Sequence, residues 1–217
     1  MKTFRMWVFV VSCFFITSMG LADVTEKPVT VEGIQAQLLE LPWSYEDRKT
    51  ETPEARKARA KDMAQGLFNA GEKMPAKFNR RPLIAAAIAI WWFETRFSLE
   101  VHSGGRSKYG SDDGKAKCFG QHHERAVGLK MEPEESVEQF RVRQREMWES
   151  LAGTSVEATE RCALATMRQF AGKLSQCRTH ENRVAAAFGS YGSGGECALL
   201  PTSIQRAELM SRLAPRL

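Results

Sequence analysis

The chain has 217 residues, of which 43% are apolar, with 16 glycines and eight prolines. This composition indicates a folded globular chain and excludes low-complexity and fibrous classes. The net charge is +5 for the full sequence and +3 without Lys2 and Arg5 of the N-terminal segment. This mild excess suits an anionic polymer as partner, but it is too small to indicate nucleic-acid binding, and we expect none.

The first 22 residues are predicted to be a signal peptide. A short basic segment, MKTFR, precedes the apolar run MWVFVVSCFFITSMG, and Gly20 and Ala22 are small residues of the kind that signal peptidase prefers. Cleavage is therefore expected before Asp23, giving a periplasmic or secreted protein. A retained N-terminal anchor is one alternative. A lipoprotein attached through Cys13 is another, which we favour less because the apolar run before that cysteine is short.

The four cysteines after the signal peptide are expected to form two disulfides. An oxidising compartment and an even number of thiols favour disulfides, and three pairings are open. We favour Cys162 with Cys177 and Cys118 with Cys197. No spacing is a close C-x-x-C pair, so the cysteines do not indicate a zinc site.

The predicted elements begin with an N-terminal extension, residues 23–50, which contains one short helix. The main domain is predicted over residues 51–217. Thr52 as N-cap and Pro53 at the first helical position predict a helix that ends at Gly71.

The next predicted helix runs from Pro82 through Phe97. Its sequence is rich in Ala, Ile and Trp, and its apolar stretch is too short to cross a bilayer. We therefore predict that this helix is buried in the core. The glycine-rich segment that follows, residues 102–120, predicts a loop or a small hairpin.

Helical spacing returns in the second half of the chain. One predicted helix carries Val137, Phe140, Trp148 and Leu151 on a single face. The next two are predicted from Val156 to Ala171, ended by Gly172, and from Asn182 to Tyr191. A last helix follows Pro201, with Thr202 and Gln205 as a capping box. The predicted fold class is therefore all-α with a small hairpin excursion.

Glu94 is the candidate catalytic residue. It is the first carboxylate after a long apolar run, and helical spacing places it on one face with Ala87, Ile90 and Trp91. Apolar surroundings and the C-terminal end of a helix favour the protonated form of a carboxyl group, which can then act as a general acid. The alternative is a helix-end glutamate that points to solvent or pairs with Arg96.

Three stretches in order resemble the signatures of the lytic transglycosylases of the lysozyme-like superfamily. Glu94-Thr95-Arg96-Phe97 is similar to E-S-x-F, Cys118-Phe119-Gly120-Gln121 to G-L-M-Q, and Phe188-Gly189-Ser190-Tyr191-Gly192-Ser193-Gly194 to A-x-x-Y-N-A-G. The resemblance spans roughly residues 82 to 200. Thr95 replaces Ser, Cys118 the first Gly, Gly120 the Met or Phe, and Gly192 the Asn, which marks a divergent member.

The resemblance implies a lysozyme-like fold and cleavage of peptidoglycan between N-acetylmuramic acid and N-acetylglucosamine. Glu94 would be the single acid/base, and the product would be a 1,6-anhydro ring rather than a hydrolysed end. Gln121 would contact the sugar and Tyr191 would hold the acid or the substrate, with Phe119, His122 and Ser190 as further substrate-binding residues. No cofactor is expected. The expected partners are the glycan strands and cell-envelope assembly proteins, and the chain is expected to act as a monomer.

Several alternatives remain open from the sequence. A hydrolytic lysozyme would need a second carboxylate, for which Asp112 and Asp113 are candidates, although Ser-Asp-Asp-Gly is also typical of a turn. Chitin as substrate and a catalytically inactive wall-binding protein are the others. The adjacent residues His122 and His123 point to different sides of a strand or helix, so we expect no metal site there.

Overall fold

The computed structural model describes residues 28–102, 115–126 and 129–217. The predicted signal peptide, including Cys13, and the candidate carboxylates Asp112 and Asp113 lie outside the described residues. The described chain is mostly helical and contains one sheet of two short strands. The predicted all-α class with a small hairpin is confirmed.

The helices follow one another along the chain with short connections. They are α1 (Val31–Glu40), α2 (Tyr45–Thr50), α3 (Pro53–Glu72), α4 (Arg80–Thr95), α5 (Leu99–His102), α6 (Val137–Glu149), α7 (Val156–Gln176), α8 (Arg183–Ser193) and α9 (Pro201–Leu213). Strands β1 (Ala116–Lys117) and β2 (His122–His123) form an antiparallel hairpin with Lys117 opposite His122. Short 3₁₀ helices cover Glu124–Ala126 and Ala214–Arg216.

Helix α4 is the centre of the molecule. Every side chain from Leu83 to Trp91 is buried, and the helix packs against α3, α7 and α9. Helix α8, which carries the third predicted motif, packs against α7 and α9, and both of these helices also contact α4. The apolar run that predicted a buried helix therefore supplies the axis around which the other helices assemble.

The residues set apart as an N-terminal extension contribute to the same core. Val29, Ile34, Leu38 and Trp43 are buried together with side chains of α3 and α4, and α1 packs along α3. The extension forms two helices rather than one, because Ser44 caps a second helix by accepting a hydrogen bond from the Asp47 N–H at 3.1 Å.

Two glycines that were expected to end helices lie inside them. Helix α3 continues past Gly71 to Glu72, and a Cβ at Gly71 would lie 2.9 Å from Ile84 Cδ1, so this glycine allows α3 and α4 to pack closely. Helix α7 continues past Gly172 to Gln176, five residues beyond the predicted end at Ala171. Neither glycine has the positive φ that ends a helix, whereas Gly194 after α8 does.

The prediction that Thr52 caps α3 is right, because its side chain accepts a hydrogen bond from the Ala55 N–H. Ser155 caps α7 in the same way, and Asn182, which was predicted as the first residue of a helix, instead caps α8. The Thr202–Gln205 capping box is wrong. Helix α9 starts with Pro201 as its first residue, and Ser203 Oγ accepts from the Leu200 N–H at 2.9 Å.

No helix among the described residues has the length and apolar character needed to cross a membrane.

Candidate active site

Glu94 lies in the last turn of α4, immediately before a sharp reversal of the chain. Arg96 and Phe97 both adopt left-handed backbone conformations, with φ of 51° and 58°. The Ser44 N–H donates to the Arg96 carbonyl at 2.9 Å and fixes this reversal against the N-terminal segment. The helix therefore stops directly after the candidate acid, and its end is attached to a different part of the chain.

A cleft of about 570 Å³ opens beside Glu94, within the range of small-ligand sites. One wall comes from the segment between Pro42 and Arg48, and the other from Trp92 to Arg96 and from Ser98, Glu100 and Val101. The cleft thus combines aromatic surfaces with charged groups of both signs. Neither Gln121 nor Tyr191 lines it.

The carboxylate of Glu94 forms an ion pair with Arg206 of α9. The distance from Arg206 Nη2 to Glu94 Oε1 is 2.8 Å, and the side chains are 11% and 24% exposed respectively. The sequence suggested either an unpartnered acid on an apolar face or a pair with Arg96. Arg96 instead lies over the Trp92 ring at 3.4 Å from its centroid. The partner of Glu94 comes from the far end of the chain.

Tyr191 connects the second and third motifs. Its hydroxyl donates to the Gly120 carbonyl at 2.9 Å, directly before Gln121. Burial, assisted by the negative charge of Glu94, raises the pKa of Tyr191 beyond its usual range. The phenol therefore remains protonated and acts as a donor. Its hydroxyl holds the Gly120–Gln121 turn, whereas the sequence suggested a bond to the acid or the substrate.

Gln121 is half-buried and has a left-handed backbone conformation, with φ of 52°. Its amide donates to the Cys118 carbonyl at 3.0 Å, across the turn between β1 and β2. In the part of the chain that the structure describes, the non-glycine residues with positive φ are Arg96, Phe97, Cys118 and Gln121. All of them flank Glu94 or belong to the Gln121 turn, and strained backbone of this kind clusters at functional sites.

Three predicted substrate-binding residues are buried in the core. Phe119 packs against Trp91 and Phe97 and is fully buried. Ser190 is also fully buried, and its hydroxyl donates to the Gly195 carbonyl at 2.7 Å. His122 is 1% exposed. These side chains support the site from behind, and in this conformation a ligand in the cleft does not reach them.

A buried hydroxyl, that of Thr166 on α7, connects the elements behind the site. Thr166 Oγ1 accepts from Trp91 Nε1 at 3.1 Å and lies 2.9 Å from His122 Nε2, and it donates to the Cys162 carbonyl at 2.8 Å. A satisfied polar cluster of this kind fixes one arrangement of its members. These hydrogen bonds fix the positions of α4, α7 and the hairpin relative to one another behind Glu94.

Gly120 packs so closely against this cluster that no side chain fits there. This explains why the chain has glycine where the motif has Met or Phe. A Cβ there would lie 2.4 Å from Thr166 Oγ1 and 2.5 Å from His122 Nε2. We expect Gly120→Ala to lower the free energy of unfolding by about 1 to 3 kcal/mol, because a rigid buried cluster would have to separate. Urea denaturation followed by circular dichroism measures the change.

Gly172→Ala is the matched control for this substitution. Gly172 lies inside α7 and a Cβ there meets no atom within 4 Å. Alanine is expected to raise the free energy of unfolding by up to about 1 kcal/mol, since it favours the helix. Equal effects of the two substitutions would contradict the proposed crowding at Gly120.

The predicted cysteines form two disulfides, but the pairing that we favoured is wrong. Cys118 bonds to Cys162 and Cys177 bonds to Cys197. Cys162 lies in α7 and Cys177 caps its end, so about 22 Å of helix separates them. A disulfide requires Cα atoms within about 7 Å. The Cys118–Cys162 bond attaches the Gln121 turn to α7.

His102 and His122 are buried in uncharged form. Burial, with the charge of Arg59 adding to it, lowers the pKa of His102 to about 3. Burial also lowers the pKa of His122 to about 4, while the Gln169 side chain acts in the opposite direction. His102 Nε2 lies 3.0 Å from Thr159 Oγ1. Across the described ranges, no group of three or more His, Cys, Asp and Glu side chains is placed to hold a metal ion.

These histidines predict a loss of stability in mild acid. The unfolded histidines take up protons below about pH 6.5, whereas the folded ones stay neutral until about pH 3 to 4. The two buried histidines therefore make their full contribution to the free energy of unfolding above pH 6.5, and this contribution is lost as the pH falls. Between about pH 7 and pH 5.5 we expect the free energy of unfolding to drop by roughly 2 to 3 kcal/mol.

Urea midpoints at the two pH values measure this drop. The control is His123→Gln, because His123 is exposed on β2 next to His122, and it should keep the full pH dependence. His122→Gln should remove about half of it. A stability that is flat over this range would show that the buried histidines do not couple folding to pH.

Two parts of the site were missed from the sequence. Arg206 sits in the last helix with no local signal that relates it to Glu94. The cleft wall from Pro42 to Arg48 was assigned to an extension outside the domain. Ser44, a residue type that often caps helices, precedes YEDRK and could have indicated a second helix in that extension. It does not indicate a cleft.

No protein-family model, curated protein or solved structure matches the chain.

Proposed function

We propose that this chain is an exported lytic transglycosylase of lysozyme-like fold that cleaves the glycan strands of peptidoglycan with Glu94 as its single acid/base. The observation that carries the proposal is the convergence of three distant motifs. Glu94 lies at the cleft, its charge acts on Tyr191, and Tyr191 holds the turn that carries Gln121.

The proposed mechanism uses one carboxyl group twice. Glu94 donates a proton to the glycosidic oxygen that links muramic acid to the next sugar, and the C1–O bond breaks. The N-acetyl group of the muramic residue stabilises the developing cation. The Glu94 carboxylate then removes the proton from the C6 hydroxyl, whose oxygen bonds to C1 and closes the 1,6-anhydro ring. Glu94 regains its proton, and no water is consumed.

The composition of the cleft supports a sugar polymer as ligand. Tyr45 begins α2 on one wall and is 57% exposed, and Trp92 lies on the other wall. Aromatic faces offer apolar contact to sugar rings, while their polar neighbours accept and donate hydrogen bonds.

The cysteines support an exported protein. Two disulfides in a chain of this size are typical of an oxidising compartment. They agree with the sequence-based expectation of a signal peptide and of a periplasmic or secreted location.

Hydrolysis is the second candidate, because the cleft contains further carboxylates. Glu46 and Glu100 line the same cleft as Glu94, and either could activate a water molecule if the glycosidic bond lay between them. This would make the protein a muramidase with two acids rather than a transglycosylase with one.

Digestion of purified peptidoglycan followed by mass spectrometry of the products tests the proposal. Transglycosylation predicts muramic acid ends that are lighter by one water than hydrolysed ends, and hydrolysis predicts reducing ends. Chitin oligomers serve as the neutral comparison substrate. Binding to the wall without soluble products would reject both enzymes and favour a wall-binding protein.

A further inference from the structure

Arg96 is a charged residue of the cleft that the proposed mechanism does not use. It lines the cleft two residues after Glu94, and it is exposed. Its guanidinium lies over the Trp92 ring, 3.4 Å from the ring centroid, and 5.6 Å from the centroid of the Phe93 ring. A guanidinium that lies over a ring keeps the N–H donors in its own plane available to a ligand.

The acid that could have paired with Arg96 has a different partner. Glu94 forms its ion pair with Arg206 at 2.8 Å. Among the described residues, no carboxylate forms an ion pair with Arg96, or with Arg48 on the opposite wall of the cleft. The two walls therefore each present a guanidinium that an anion of the ligand can approach.

Arg96 is also partly removed from water. Burial lowers its pKa, although a guanidinium stays charged at neutral pH. Because charges attract more strongly in less polar surroundings, a carboxylate gains more at Arg96 than at a fully hydrated side chain. Glu46 and Glu100 line the same cleft and each makes an interaction of its own. The preference for an anion is therefore local to the two guanidinium groups.

The substrate of the proposed function, on which this inference rests, carries carboxylates near the bond that is cleaved. In the wall, the lactyl group of muramic acid is joined by an amide bond to a short peptide stem. The acidic side chains and the C-terminus of this stem keep free carboxylates, which are ionised at neutral pH. Glu94 is proposed to act at C1 of the same sugar, so the stem begins within one ring of the acid.

We propose that Arg96 is a specificity-determining residue and that, together with Arg48, it binds the carboxylates of the peptide stem on the muramic residue held at Glu94. An arginine suits this task because its fork of N–H groups can bind both oxygens of a carboxylate. The motif that the sequence resembles leaves this position open, as the x of E-S-x-F. The cleft would thus select strands that carry acidic stems over bare glycan.

Binding of an uncleavable fragment tests the proposal without turnover. The probe is the disaccharide of N-acetylglucosamine and N-acetylmuramic acid with a tetrapeptide stem, which lacks the bond that the enzyme would cut. The control is the same muropeptide with its carboxylates converted to amides. In calorimetric titrations of the full chain near pH 7, we expect the acidic form to bind about tenfold or more tightly than the amidated form. Added salt should weaken the binding of the acidic form.

Three variants locate the contact. Arg96→Gln should bind the two muropeptides with affinities within about threefold of each other, because the charged donor is gone. Arg96→Lys keeps the charge without the fork and should recover part of the preference. Arg178→Gln is the matched control, since Arg178 is exposed after α7 and does not line the cleft. It removes the same charge and should keep the full preference for the acidic form.

The outcomes separate this proposal from the proposed function. If wild type does not prefer the acidic muropeptide or fails to bind it, or if Arg96→Gln keeps the preference, recognition of the stem is rejected while glycan cleavage can still stand. An equal loss in Arg178→Gln also rejects it, because the effect would then come from net charge. If the preference follows the expected pattern but sacculi yield no soluble products, recognition of the stem stands and the enzymatic function is rejected.

Discussion

Replacing Glu94 by glutamine is expected to lower the rate of peptidoglycan cleavage by about 10³-fold or more. The amide has nearly the shape of the carboxylate, and its oxygen can still accept a hydrogen bond from Arg206, but it can neither donate the first proton nor remove the second. Because one group performs both steps, its loss should affect the rate constant of the bound complex rather than the affinity for the wall.

The measurement is the rate of release of soluble muropeptides from purified sacculi, with binding to sacculi followed separately by sedimentation. Thermal unfolding checks that the variant is folded, because the substitution removes the counter-ion of the mostly buried Arg206 guanidinium and should cost some stability. Activity in Glu94→Gln within a few fold of wild type would remove Glu94 from the chemistry.

Glu100→Gln is the matched control. Glu100 is a second carboxylate of the same cleft, so the substitution changes the same charge by the same amount. A mechanism with one acid/base predicts activity within a few fold of wild type, whereas a hydrolytic mechanism with two acids would lose activity in both variants. A loss in Glu100→Gln together with reducing ends in the products would identify the hydrolytic enzyme.

Replacing Arg59 by methionine is expected to lower the free energy of unfolding by about 3 to 5 kcal/mol. Arg59 of α3 is 7% exposed and forms ion pairs of 2.8 Å and 2.7 Å with Asp47 and Glu51. It also donates to the Phe97 carbonyl at 2.6 Å. Methionine fills much of the volume but removes the cation that Asp47 and Glu51 share, which leaves Glu51 with Arg56 at 3.7 Å, and the unbalanced buried charge dominates the loss.

This substitution should also affect the site. Asp47 Oδ2 accepts from the Leu99 N–H at 2.9 Å, so Arg59 and Asp47 together hold the strained reversal after Glu94. Urea denaturation measures the stability, and muropeptide release at a temperature where the variant is folded measures the effect on the site.

Arg56→Met serves as the control for Arg59. Arg56 lies one turn earlier on α3 and approaches Glu51 only to 3.7 Å, with 20% of its side chain exposed. It should cost about 1 kcal/mol or less. If the two substitutions cost the same, the buried network around Arg59 is not what stabilises this part of the fold.

The sequence was sufficient for features that depend on neighbours along the chain. Capping by Thr52 and Ser155 needs only a side chain three residues from a backbone N–H. The burial of α4 follows from a run of apolar residues too long to leave any exposed face. The motif order predicted Glu94, Gln121 and Tyr191 as a set, but it did not predict the contacts that each of them makes.

Helix ends were harder to predict because a glycine can serve two purposes. At Gly194 it adopts the left-handed conformation that ends α8, with φ of 67°. At Gly71 it lets Ile84 approach, and α3 continues through it. The sequence shows the same residue in both cases, and only the packing of the neighbouring helix decides between them.

The sequence by itself determined the helical class, the hairpin, the buried central helix and the position of the candidate acid. The tertiary structure alone decided that Arg206 pairs with that acid, that the segment from Pro42 to Arg48 forms a wall of the cleft, that Cys118 bonds to Cys162, and that Phe119, His122 and Ser190 face inward. The physical reason is that periodicity and capping act over three or four residues. Contacts between positions far apart in the chain depend on how whole helices dock, which no local pattern specifies.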